Sequence, residues 1–237
     1  MQLYVGTSGY SYPEWKGRFY PEKLSQKAML GYYAQQFSTV ELNNTFYRMP
    51  DASVLKSLAK QIPADFRFAV KAPQSITHFK RLKDAQAPTK EFFRAASVLK
   101  KQLGPVLFQL PPNFKKDLPR LKAFLCHISK RIPVAFEFRH ASWFDDEVFI
   151  CLRAKSCALC IADVDDSPQP PMISTADWGY VRLRRKRYTR KQLADWVERI
   201  RSQAWSEAYV FFKHEETGTG PRYAARFLEL AARKDVM

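Results

Sequence analysis

The sequence predicts an α/β fold, specifically a TIM-type (β/α)8 barrel, from three observations. Short apolar runs alternate with amphipathic stretches at intervals of about 25–30 residues, the period of a βα unit. There are eight such runs. No composition shift, linker or low-complexity tract divides the 237 residues, so residues 1–237 read as one barrel domain at the small end of the usual size. A doubly wound parallel sheet is the alternative, and it more often uses about five to seven strands.

The predicted strands cover residues 3–8, 39–44, 66–72, 106–110, 134–140, 158–164, 180–184 and 208–213. Between them lie helical patterns with recognisable ends. Phe92, Ala96, Leu99 and Leu103 form a stripe after Pro88. Leu118, Leu121, Leu125 and Ile128 recur at helical spacing behind Asp117, a predicted N-cap. Thr189 and Gln192 form a capping box ahead of Leu193, Trp196, Val197 and Ile200. Pro221 suits the first turn of a last helix carrying Ala224, Phe227, Leu228 and Ala231. The connection after strand six is the exception. Pro168, Pro170 and Pro171 remove backbone donors and predict an irregular unit.

Hydrophobic residues make up 46% and charged residues 26%, the balance of a globular chain. No apolar run approaches the roughly 18 residues of a membrane span. The opening MQLYVGTSGY has neither a basic start nor an apolar core, so no signal peptide and a cytoplasmic location are expected. Charge is the unusual quantity: 39 Lys and Arg against 23 Asp and Glu, a net of +16. The excess is spread along the chain rather than held in a tail. It suits anionic partners, phosphorylated metabolites or nucleic acid, or else a solubilising surface. Cys157 and Cys160 have CxxC spacing but lie in CALCIADV, a strand in which residues three apart face opposite ways. They read as buried structural thiols, with no disulfide or zinc pair.

Five segments, VGTSGYSYPEWKGRFYP, VELNNTFYRMP, FAVKAPQSITH, GPVLFQLPPNF and AFEFRHASW, occur in this order. Together they resemble the YecE-like family, domain of unknown function 72, across essentially the whole chain. The resemblance implies a TIM-barrel-type fold and little about activity. The chain departs from the family pattern after strands seven and eight, where it reads Arg182-Leu183-Arg184-Arg185 and Phe211-Phe212-Lys213-His214.

Active sites on this fold lie at the C-terminal ends of the strands. Polar residues cluster there. Glu41 and Asn43 share one face of strand two, and Glu137 and Arg139 share one face of strand five. Phe136 and Phe138 then face the helices. Lys71 ends strand three, Gln109 lies in strand four and Asp163 in strand six. Glu41, Glu137 and Asp163 suit general acid–base work or hard-metal ligation, and Lys71 and Arg139 would neutralise them or hold an anionic substrate. The structural alternative is a pair of buried ion pairs, Glu137–Arg139 and Glu41–Lys71, plugging the barrel. The four histidines form no HxH or HxxxH motif, so no metal site is assigned and the cofactor is unknown. His78 or His140 would serve as general base, or cap a loop.

The first loop carries Tyr10, Tyr12, Trp15, Phe19 and Tyr20, which either stack on a substrate base or sugar or pack as a lid; Trp15 is the binding candidate. After strand seven, seven basic residues lie between Arg182 and Lys191. The segment Thr217-Gly218-Thr219-Gly220-Pro221-Arg222 opens the last helix. A phosphate site is expected there, built from Gly218, Gly220, Arg184, Arg185 and Arg222. The functional expectation is an enzyme acting on a phosphorylated or nucleotide-like small molecule by hydrolase or isomerase/lyase-type acid–base chemistry. A nucleic-acid-associated protein, binding or nuclease, is the alternative. A membrane partner is not expected.

Overall fold

The computed structural model describes residues 1–129, 131–165, 167–216 and 218–233. Eight parallel strands run β1 (Gln2–Thr7), β2 (Thr39–Leu42), β3 (Arg67–Lys71), β4 (Leu103–Gln109), β5 (Val134–Glu137), β6 (Ala158–Asp163), β7 (Trp178–Leu183) and β8 (Glu207–Phe212). They pair in the order β1-β8-β7-β6-β5-β4-β3-β2. The fold is the expected TIM-type barrel, nearly closed, with helices between the strands.

Closure at the β1–β2 seam is achieved without a full ladder. A single bridge joins Ser8 to Glu41, and Gly9 N donates to Glu41 O at 2.8 Å. Below it the Tyr33 hydroxyl spans the gap, accepting from Thr7 N at 2.8 Å and donating to Thr39 O at 3.1 Å. Gly6 allows this approach, since a Cβ there would lie 2.1 Å from Thr39 O.

Outside the barrel lie α1 (Met29–Ala34), α2 (Asn44–Tyr47), α3 (Ala52–Ala59), α4 (Gln86–Ala96), α5 (Leu118–Leu125), α6 (Asp146–Ala154), α7 (Arg190–Arg201) and α8 (Thr219–Ala232). Asp117 caps α5 through Arg120 N, and the Thr189–Gln192 capping box starts α7. Pro221 sits in the first turn of α8. No helix forms between β6 and β7 among the described residues, as the prolines require. Nor is any helix there long and apolar enough to cross a membrane.

The predicted stripe extends past the end of α4 at Ala96. Leu99 and Leu103 do not continue α4: the chain kinks at Lys100, whose φ is 53°, and Leu103 already opens β4. Spacing alone could not mark that break, because Leu99 and Leu103 remain buried or half-buried on either side of it.

Strand alternation produces two apolar layers. Phe136 packs on Phe108 and on Phe124 of α5, while Phe138 stacks on Trp143 at 4.7 Å. The inner layer holds Ala69, Leu107, Ala135, Cys160, Trp178, Tyr180, Tyr209 and Phe211. Cys157 joins the outer layer and Cys160 the inner one, and all four thiols are free. Burial pushes the Cys157 thiol up to about 12 and raises Cys160 as well.

Candidate functional site

The barrel's inner face changes from apolar to charged toward the C-terminal mouth, and β7 makes the change. Tyr180 and Arg182 alternate inward from it, with Arg184 following just beyond the strand. Arg182 is 1% exposed. Its guanidinium spans the barrel, with Nη2 2.8 Å from Glu41 Oε1 on β2 and Nη1 2.5 Å from Glu137 Oε2 on β5. The Tyr180 hydroxyl donates to the other Glu41 oxygen at 2.6 Å, and Gln109 Nε2 donates to Glu137 Oε1 at 2.8 Å. Removing two carboxylates from water is costly, and the shared guanidinium offsets that cost through two charge-assisted contacts.

Both glutamates are therefore held ionised. Burial pushes their pKa values up, but Arg182, with Tyr180 at Glu41 and Arg139 and Arg184 at Glu137, more than reverses it. The net direction is downward for both. Carboxylates whose pKa is lowered and whose oxygens are already engaged by donors are weak proton acceptors, so the acid–base role expected of Glu41 and Glu137 fits these surroundings poorly. The expected Glu41–Lys71 pair is also replaced, because Glu41 is occupied by Arg182 and Tyr180.

Lys71 instead stands alone. It is 8% exposed, its Nζ lies 3.8 Å from the centre of the Phe46 ring, and it makes no hydrogen bond or ion pair among the described residues. Burial and then Arg182 lower its pKa to about 7, against the pull of Glu137 and Glu41. His78 packs its ring on the same Phe46 and sets Nδ1 2.9 Å from Thr77 Oγ1. Burial, followed by Lys71, lowers it to about 4, so the imidazole is neutral at pH 7.

Above Glu137, Arg139 donates through Nε to Oε1 at 3.2 Å. Arg184 Nη1 stands 3.5 Å from the same oxygen without hydrogen-bond geometry, and Arg184 Nε and Nη1 are buried with no acceptor among the described residues. Burial and then Arg182 lower its pKa. Arg139 and Arg184 line a cavity of about 280 Å³ at the mouth with Glu137, Pro112, Ser167 and Pro168. Lys213, at the end of β8, is lowered by burial and by Arg184. Asn43 caps α2 with its backbone only. Its carboxamide is buried, makes no hydrogen bond among the described residues, and lines a cavity of about 200 Å³ with Tyr10 and Tyr12.

Other expected site residues lie elsewhere. Asp163 is on the outer face of β6, where it accepts from Arg185 Nε at 2.6 Å, Tyr188 Oη at 3.0 Å and Trp196 Nε1 at 3.1 Å. It fixes the loop after β7 to α7 and is absent from the barrel mouth; Arg185 is committed to it. Trp15 is buried, donates Nε1 to Glu215 O at 2.8 Å and packs on Tyr12, Phe19 and Tyr20. The aromatic loop is a packed lid, and Trp15 presents no face to a substrate. His140 caps the turn after β5 through Ser142 N.

The expected phosphate site divides in two. Gly218 caps α8 in the left-handed conformation, φ 66°. It shares an outer cavity with Arg222 and Arg18, not with Arg184. A Cβ on Gly220 would lie 2.9 Å from His214 O, so this glycine serves packing. Thr217 lies outside the described residues. Strand parity explains the division: Arg184 faces inward and Arg185 outward, however close they are in sequence. The same parity could have identified Arg182 and Tyr180, which sequence reasoning overlooks because Arg182 is submerged in a linear basic run. Among the described residues, no group of three or more His, Cys, Asp or Glu could hold a metal.

A family model described as "Protein of unknown function DUF72" matches residues 4–236. The chain belongs to the DUF72 family. DUF72 membership agrees with its relatives. It is 25% identical over 269 residues to the UPF0759 protein YunF of Bacillus subtilis, spanning 96% of this chain and 94% of that one. It is 32% identical over 143 residues to the UPF0759 protein YecE of Escherichia coli, 60% of this chain and 50% of YecE. The crystal structure of a DUF72 family protein from Thermotoga maritima superposes with a TM-score of 0.84 at 29% identity, covering 98% of this chain and all (100%) of the other. A DUF72 protein from Enterococcus faecalis gives 0.80 at 18% identity, a likeness of fold alone.

Proposed function

We propose that the barrel mouth binds a small anionic metabolite, phosphorylated or nucleotide-like, and acts on it as an enzyme. The observation that carries this reading is the cationic rim and its under-satisfied member, Arg184. Arg182 offsets one of the two buried glutamate charges, and Lys71, Arg139 and Arg184 more than make up the other. Arg139 pairs with Glu137 at 3.2 Å, and Lys213, beside Arg184, pairs with Glu215 at 3.6 Å. Arg184 keeps buried N–H donors without acceptors among the described residues. An unsatisfied buried donor costs about 1–3 kcal/mol, and a ligand phosphate would supply the missing oxygens. Arg139 and Arg184 present planar donor forks suited to that geometry.

Calorimetric titration of inorganic phosphate and of AMP into wild type and Arg184→Ala tests the reading. Wild type is expected to bind both, and the variant at least tenfold more weakly with unchanged folding. Equal affinities, or binding that collapses steeply with salt and ignores Arg184→Ala, would overturn it and move anion binding to the outer basic surface.

A further inference from the structure

We propose that Lys71 is a Schiff-base nucleophile: its unpartnered Nζ, seated on the Phe46 ring at the mouth of the barrel, condenses with the carbonyl group of a phosphorylated aldehyde or ketone. The phosphate half of this proposal rests on the anion site proposed above; the nucleophile rests on the geometry of Lys71 itself.

A buried ammonium ordinarily requires a carboxylate partner. Among the described residues, Glu41 and Glu137 are the buried carboxylates on the inner face at this end of the barrel, and both turn their oxygens to Arg182 and its neighbours. Lys71 lies over the face of the Phe46 ring, a cation–π contact that by itself favours the ammonium, but burial and the field of Arg182 oppose it; its strand end is fixed by Thr45 Oγ1 donating to Lys71 O at 2.6 Å. Desolvation and an adjacent cation are the two environments that activate lysine as a nucleophile. The charged and titratable groups facing it are Glu41 from β2, Glu137 and Arg139 from β5 and its exit, Arg182 from β7, and His78 from the turn after β3. His78 is neutral near pH 7 and adds no charge. With a pKa of about 7, Lys71 is roughly half neutral at pH 7, whereas an ordinary lysine is neutral about once in several thousand molecules.

In the reaction, the Nζ lone pair adds to the carbonyl carbon and the carbon–oxygen π pair moves to oxygen, which takes a proton, giving a carbinolamine. Loss of that oxygen with both original N–H protons, as water, leaves the imine. Addition and dehydration balance without any oxidant or reductant.

The test traps the imine in the wild-type protein. Glycolaldehyde phosphate and unphosphorylated glycolaldehyde are each incubated at pH 7 with sodium cyanoborohydride, and modified lysines are mapped by peptide mass spectrometry. Lys71 is expected to be labelled at least tenfold faster than any other lysine, with the selectivity falling as pH is raised toward 10 and ordinary lysines become neutral. Arg184→Ala should slow labelling by the phosphorylated aldehyde at least fivefold more than labelling by the unphosphorylated one. Labelling of Lys71 no faster than surface lysines, while phosphate still binds the mouth, overturns the nucleophile and spares the anion site. Selective labelling of Lys71 by both aldehydes alike, indifferent to Arg184→Ala, keeps the nucleophile and overturns the anion site.

Discussion

Asp163 and Glu137 sit on neighbouring strands, both 1% exposed and both gathering donors, yet on opposite faces of the barrel. Asp163 faces the helices and meets Arg185, Tyr188 and Trp196, each delivering one hydrogen bond to an oxygen that can take it. Glu137 faces inward and meets Gln109, Arg139, Arg182 and Arg184. Three of these complete hydrogen bonds, as many as Asp163 accepts, and Arg184 stands 3.5 Å from Oε1 without completing a fourth. A carboxylate that matches its donors one for one fastens a loop. One that draws more cation than it can satisfy creates demand for an additional anion.

The most severe way to break this contrast is to remove Arg182. Arg182→Met leaves Glu41 and Glu137 buried without their shared counter-ion, and unfolding free energy is expected to fall by about 3–5 kcal/mol. Adding Glu41→Gln and Glu137→Gln to Arg182→Met should recover a large part, since the loss comes from uncompensated charge. Urea denaturation of the two variants decides. A loss below about 1 kcal/mol for Arg182→Met, or no recovery in the triple variant, would mean that the inner layer is not an ionised network.

Asp163→Ala comes next. It strands Tyr188, Trp196 and Arg185 donors, of which the first two are buried, and about 2–3 kcal/mol of stability should be lost. Phosphate affinity at the mouth should stay within twofold of wild type. A large affinity loss at unchanged stability would reverse the roles of the two faces.

The contrast between faces also marks how far the sequence could be read. The eight strands are visible because buried parallel strands are short apolar runs, and the inward parity of Glu41 and Glu137 follows from alternation. Asp163 defeats that logic: Ala158 to Asp163 is buried on both faces, so no polar partner along the strand reveals which side is inward. Arg182 and Arg184 are the reverse case. Tyr180-Val181-Arg182-Leu183-Arg184 alternates cleanly, but counting basic residues along the chain groups Arg184 with Arg185, which the strand sends to opposite sides. Lys71 was placed by sequence at the correct strand end. Its isolation depends on Arg182 capturing both glutamates from β7, pairings across 45 and 141 residues that no local pattern contains.

That isolation has a smaller but separable signature in the pH dependence of stability. Lys71 is held near 7 in the folded protein and returns to the ordinary 10.5 when the chain unfolds. Between these values the unfolded state binds the extra proton, so Lys71 makes stability rise with pH, by at most about 1.4 kcal/mol per unit, and contributes no slope well below 7. The glutamates work in the other range: their lowered folded values stabilise above the ordinary carboxylate range and that contribution fades on acidification. Comparing wild type with Lys71→Met from pH 7 to 9.5 cancels the titration of the surface lysines and isolates this residue. The stability difference between the two proteins should shift in favour of wild type as pH rises, while below pH 6 the two curves should run parallel. Parallel curves across the whole range would mean that Lys71 keeps an ordinary ammonium, paired in solution with a carboxylate that Arg182 does not hold.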